Sequence, residues 1–228
     1  MSFGSILYVG LSCFLIAVLL PKLSLAFLWL GASLVFVAFA YKDSNAQRLG
    51  KRRDGSFSLL SNILLFPYLF LIRVAWIQYR YTKGKVPFHP LVDNIWIGRR
   101  LLKDELPEGP AMMIDLSYEF SVDTKAYDGK VYRCLPILDC HTPDNYEEFS
   151  TLVDEAISYQ GDVYITSGQG RGRVGLFAAF LLLRKGVVAT PEEAFRWAEK
   201  KRSVVVMAEA QVDYLKGRFE GRDVPAER

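Results

Sequence analysis

Residues 163–175 read VYITSGQGRGRVG. Val163, Tyr164 and Ile165 favour extended backbone and predict a strand. An apolar run from Val174 to Arg184 follows, carrying Leu176, Phe177, Phe180, Leu181 and Leu182. It is too short to cross a bilayer and reads as a buried core helix. Between the two lies Ser167-Gly168-Gln169-Gly170-Arg171-Gly172-Arg173. Glycine at every second position lets the backbone curl until successive N–H groups point inward. Such a nest at a helix N-terminus binds a tetrahedral oxyanion. Arg173 adds a planar fork able to hold two phosphate oxygens. A flexible turn is the plainer reading of glycine-rich sequence. The order of strand, glycines, two arginines and apolar helix argues against it.

Working outward, Ile95-Trp96-Ile97-Gly98, Ala111 to Leu116 and Val131 to Ile137 read as further strands, the last closed by Pro136 and Asp139. Asn145 to Gln160 places Phe149, Leu152, Val153, Ala156 and Ile157 at helical spacing. Thr190-Pro191-Glu192-Glu193 is a helix start, with proline at the first helical position. A last helix runs from about Ala208 to Phe219. Strands alternating with helices predict an α/β fold, a central, mostly parallel sheet flanked by helices. Residues 86–228 form a unit of ordinary domain size.

On these residues, the segment from Val86 to Glu220 resembles the cysteine-dependent dual-specificity phosphatases of the protein tyrosine phosphatase superfamily, in their membrane-anchored bacterial form. Their signature is His-Cys, five residues, then Arg and Ser or Thr. The resemblance includes Asn94-Ile95-Trp96-Ile97-Gly98-Arg99, Ile114-Asp115-Leu116 and Leu135-Pro136-Ile137-Leu138-Asp139. It implies a protein tyrosine phosphatase-like fold and a phosphomonoester ligand held by Gly168, Gln169, Gly170, Arg171, Gly172 and Arg173. Ser167 falls at the nucleophile position. Asp139 is the expected proton donor to the leaving oxygen, with Asp144 as the alternative. No metal and no cofactor is implied.

The departures are as informative. Ser167 replaces the thiol, Thr166 the histidine, and Val174 the hydroxyl after the arginine. A nest can lower a thiol from about 8.5 to a thiolate at neutral pH, whereas a serine needs an adjacent general base. The two histidines, His89 and His141, and the three cysteines, Cys13, Cys134 and Cys140, all lie outside the loop. Ser167 is either an introduced Cys→Ser change in an active enzyme or part of a natural pseudophosphatase. Thr166 and Val174 favour natural divergence.

The first third of the chain is unlike the rest. Residues 1–20 carry no charge, Pro21-Lys22 interrupts, and residues 23–41 are again uncharged. Each run is close to the roughly 20 residues that span a bilayer. A signal peptide would need a basic start and a cleavage site, so residues 1–41 read as a two-helix transmembrane hairpin. Lys42, Arg48, Lys51, Arg52 and Arg53 follow it, against Lys22 alone between the runs. That bias predicts a multi-pass protein of the cytoplasmic membrane with its soluble domain in the cytoplasm. Residues 42–85 form a basic juxtamembrane segment. Within it Phe57 to Ile72, broken by Asn62 and Pro67, reads as an interfacial or re-entrant helix rather than a third span. Arg73, Trp76, Tyr79, Arg80 and Tyr81 are expected at headgroup level.

With 51% apolar and 23% charged residues the chain is not disordered, and three cysteines without a C-x-x-C pair exclude a disulfide scaffold or zinc motif. A net charge of +3, clustered beside apolar segments, gives no case for nucleic acid. The expected partners are membrane lipid and a phosphomonoester. The second basic residue, Arg171, resembles the loop of phosphoinositide lipid phosphatases and favours a lipid headgroup over a phosphoprotein. A membrane-tethered module that binds phosphate without hydrolysing it is the alternative.

Overall fold

The computed structural model describes residues 3–82, 85–122 and 127–219. The expected limits at 1–2 and 220–228 lie outside these residues. Helices α1 (Phe3–Leu19) and α2 (Ser24–Lys42) form a hairpin around a 3₁₀ turn at Pro21–Leu23. A second 3₁₀ turn at Ala46–Leu49 leads to α3 (Leu59–Thr82). Then come β1 (Phe88–Val92), β2 (Ile95–Arg99), β3 (Ala111–Ser117), β4 (Val131–Ile137), α4 (Tyr146–Ser158), β5 (Asp162–Ser167), α5 (Gly172–Arg184), α6 (Pro191–Lys201) and α7 (Glu209–Phe219).

The five strands lie in the order β1-β2-β5-β3-β4. β5 pairs in parallel with β2 and β3, and β3 with β4; β1 runs antiparallel at the edge. The expected mostly parallel α/β sheet is therefore present. The edge strand β1 was not read from the sequence. Its Pro90 cannot donate to a ladder, which suits only an edge.

Side-chain alternation divides the two faces. Ile95, Ile97, Met112, Ile114, Val163 and Ile165 share one core with α4 to α7. On the other face Tyr164 stacks on Trp96, with Phe88 edge-on to both. α6 begins with the predicted Thr190–Glu193 capping box.

The helical segment before β1 packs onto this unit. Lys51 is wholly buried, its ammonium 2.8 Å from Asp115 Oδ2. Burial alone would raise the Asp115 carboxyl, but the neighbouring Lys51 ammonium keeps it below its ordinary value. Arg53 pairs with Glu148, and Arg48 with Asp43. The Tyr118 hydroxyl, just past β3, bonds the hydroxyls of Tyr41 in α2 and Tyr68 in α3.

α3 departs from expectation. The short piece at Phe57 to Ile72 is instead a continuous helix of 24 residues that runs through Pro67. It and Pro21–Lys42 are long and apolar enough to cross a membrane, while α1 is shorter. Proline at 67 has no N–H to offer the carbonyl four residues back, at Ile63. The Trp29 indole N–H of α2 donates to that carbonyl at 3.0 Å, and its ring stacks on Phe66. A neighbouring helix thus satisfies the acceptor that proline orphans, which matters most where no water can do so.

Trp29→Phe should therefore lower stability by about 0.5–1.5 kcal/mol, the net range for one hydrogen bond lost. In a Pro67→Ala background the loss should shrink, because the restored backbone N–H can donate to the Ile63 carbonyl. Denaturation of the four proteins in detergent measures the coupling; equal losses in both backgrounds would assign the indole to ring packing alone.

Candidate active site

The segment 163–175 folds as its pattern predicts: β5 ends at Ser167 and α5 begins at Gly172. Gly170 has φ +66°, and a Cβ there would lie 2.4 Å from the Gly98 carbonyl. Conformation and space both require glycine. A Cβ at Gly168 would lie 2.6 Å from Glu119 Oε1.

Four donors hold the carbonyls of the loop. Arg100 N–H donates to Ser167 O at 2.7 Å. The Trp76 indole donates to Gly168 O at 2.9 Å, and the Tyr79 hydroxyl to Gln169 O at 3.1 Å. Arg202 Nε donates to Gly170 O at 3.1 Å. In a trans peptide the C=O and the following N–H point in opposite directions. Pinning these four carbonyls therefore sets the N–H groups of Gly168, Gln169, Gly170 and Arg171 on the opposite side of the loop. The positive end of α5 adds to their field.

Arg173 is 3% exposed. Its two terminal nitrogens bond the two Glu119 oxygens at 2.7 and 2.6 Å, and Nη1 also reaches Ile137 O at 3.2 Å. Burial works against the guanidinium charge, but the Glu119 carboxylate overrides it and holds Arg173 above its ordinary value. Glu119 was not read as a site residue. Nothing around it in sequence marks it; it reaches Arg173 because β3 lies next to β5.

Asp139 lines the same cavity, half-exposed, with Oδ1 3.6 Å from Arg173 Nη2. Asp144 does not line it: its Oδ2 accepts from Ala46 N–H at 2.8 Å and fixes the turn after α2. Ser167 is 2% exposed and its Oγ accepts from Gly170 N–H at 3.2 Å. Both histidines are among the described residues and neither lines the cavity. His89 Nδ1 accepts from Arg202, and His141 lies edge-on to Tyr41. Cys134 is buried, which pushes its thiol up to about 11. Cys140, outside the loop in sequence, stands in the cavity wall beside Asp139.

The cavity holds about 280 Å³. The loop, Glu119 and Asp139 form one side; Tyr41, Tyr68, Ile72 and Trp76 of α2 and α3 form the other.

The fold of the α/β unit matches a known architecture. The structure is similar to Tk-PTP in its active form, with a TM-score of 0.51 at 20% identity over 59% of this chain and 97% of that one. The α/β unit has the protein tyrosine phosphatase fold. PTPMT1 in complex with PI(5)P aligns at 25% identity and a TM-score of 0.47, covering 57% of this chain and 92% of that one. The human tyrosine phosphatase-like serine/threonine/tyrosine-interacting protein aligns at 15% and 0.48, over 58% and 95%. No family model matches the chain, and no curated protein matches it in sequence. In this phosphatase-fold unit the loop occupies the carboxyl ends of parallel strands, where open α/β sheets place their ligands.

Arg173→Lys keeps the charge but loses the fork that meets both Glu119 oxygens. Vanadate or phosphate affinity, measured by calorimetry, should fall about ten- to a hundredfold. Unchanged affinity would remove Arg173 from the anion site.

Proposed function

We propose that this chain is a membrane-attached phosphomonoester-binding protein of the phosphatase fold, whose ligand is a phospholipid-type phosphate. The observation that carries this reading is the shared cavity. A phosphate seated against Arg173 has the rest of its molecule against Tyr68, Ile72 and Trp76, on a helix whose other face exposes Phe66, Phe70, Val74 and Ile77. A lipid headgroup reaches such a site without leaving the membrane surface. Contacts from Tyr68 to Arg80 tie α3 to the α/β unit, which supports an α3 lying along the membrane face. The basic residues from Lys42 to Arg53 support a cytoplasmic site.

As the chain stands, neither histidine lines the cavity with Ser167, whose Oγ accepts from Gly170 N–H, and binding without turnover is the reading that fits. With cysteine at 167, the loop N–H groups and α5 would favour a thiolate. The thiolate attacks phosphorus and the P–O ester bond breaks. Asp139 delivers its proton to the departing oxygen, and water then hydrolyses the thiophosphoryl intermediate.

The test presents vesicles bearing a lipid phosphomonoester, alongside a phosphopeptide, to the chain and to Ser167→Cys. The chain should bind the vesicles without releasing phosphate, and Ser167→Cys should release it from the lipid faster than from the peptide. Preference for the peptide would overturn the lipid assignment. In the Ser167→Cys background, Asp139→Asn should slow hydrolysis of an alkyl or lipid phosphate by about 10²–10⁴-fold, and of an activated aryl phosphate less. Equal slowing of both would mark Asp139 as structural.

A further inference from the structure

Trp76 and Tyr79 belong to an aromatic and arginine-rich stretch of the kind that sits among lipid headgroups. In the folded chain they turn the other way. They are 8% and 9% exposed, on the face of α3 opposite Phe70, Val74 and Ile77. Each spends its one polar hydrogen on a carbonyl at the crown of the phosphate loop, Gly168 O and Gln169 O respectively. Arg100 N and Arg202 Nη2 also approach these two oxygens, at 3.3 and 3.4 Å, so the donors on α3 make the shorter bonds.

The two peptide planes involved flank Gln169 and adjoin Gly168 and Gly170, where rotation meets little steric resistance. Turning the Gly168–Gln169 plane would take the Gln169 N–H out of the nest. Turning the Gln169–Gly170 plane would take away the Gly170 N–H, which in this structure meets Ser167 Oγ. The neighbouring planes are held from within the α/β unit, through Ser167 O and Gly170 O. Only the crown takes its shorter bonds from α3.

We propose that Trp76 and Tyr79 are positioning residues of the anion site, and that the loop reaches its binding form only with α3 seated against it. This rests on the reading of the loop as an anion site. The membrane-face helix is then a working part of the site as well as an attachment.

The experiment compares the full-length chain in nanodiscs with Trp76→Phe, Tyr79→Phe and the double variant. Phenylalanine keeps a ring in each place and removes only the donor. Orthovanadate affinity should fall at least about tenfold in the double variant, a change of about 1.4 kcal/mol. Amide exchange should quicken at residues 168–171 while β5 and the body of α5 stay protected. Unchanged affinity with unchanged loop exchange would overturn the proposal. Quickened exchange across the whole domain would also overturn it, since the aromatic pair would then be structural. If the unsubstituted chain bound no vanadate, the anion reading would fall, and loop exchange would still decide whether α3 braces the crown. Should the double variant fail to fold, Tyr79→Phe alone carries the comparison.

Discussion

A guanidinium with almost no contact with water needs a fixed counter-charge, and the architecture is arranged around supplying one to Arg173. Glu119 meets it with two bonds, and the Ile137 carbonyl takes a further hydrogen. Removing either member of such a pair leaves a buried charge uncompensated, which costs far more than the pair contributes. The pair exists because β5 lies between β2 and β3 in the sheet. That order brings the loop after β5 beside the loop after β3, and Asp139 follows from the end of β4. Strand order thus assembles residues that lie far apart in the chain into one constellation.

The second constraint is the accounting of backbone polar groups. Each carbonyl from Ser167 to Gly170 has a donor, and two of the donors come from α3. The same rule shows at Pro67, where α2 provides the missing donor through Trp29. Lys51 buried against Asp115, and Tyr118 between Tyr41 and Tyr68, bind the helical part to the sheet in further places. The apolar helices and the α/β unit are therefore one packed structure. The ion pairs at Lys51, Arg48 and Arg53 also mean that the basic segment takes part in the fold itself.

Local patterns proved legible in the sequence. The glycine spacing in 163–175, the amphipathic period of α4 and the Thr190 cap depend on neighbours within a few residues, and each appears where its pattern places it. The loop was legible for the same reason: its curl and its arginine are written within seven consecutive positions. The edge strand β1 was not, because Pro90 makes it a poor strand by local propensity and only its pairing with β2 makes it one. Pro67 likewise read as a break in an apolar stretch, because the compensating indole lies 34 residues from the Ile63 carbonyl, on another helix.

The sequence by itself determined the α/β class, the strand-loop-helix that carries Ser167 and Arg173, and the apolar character of the helices before it. All of these follow from periodicity and short-range backbone preference. Tertiary structure decided the rest. It paired Glu119 with Arg173, kept Asp139 in the cavity while turning Asp144 to the Ala46 N–H, and carried Trp76 and Tyr79 from an expected place among lipids to the loop crown. The hydrogen bonds among these contacts join residues 54 to 98 positions apart. Their side-chain types alone carry no record of the partner, because a carboxylate or an indole satisfies whichever donor or acceptor the packing of the chain brings to it.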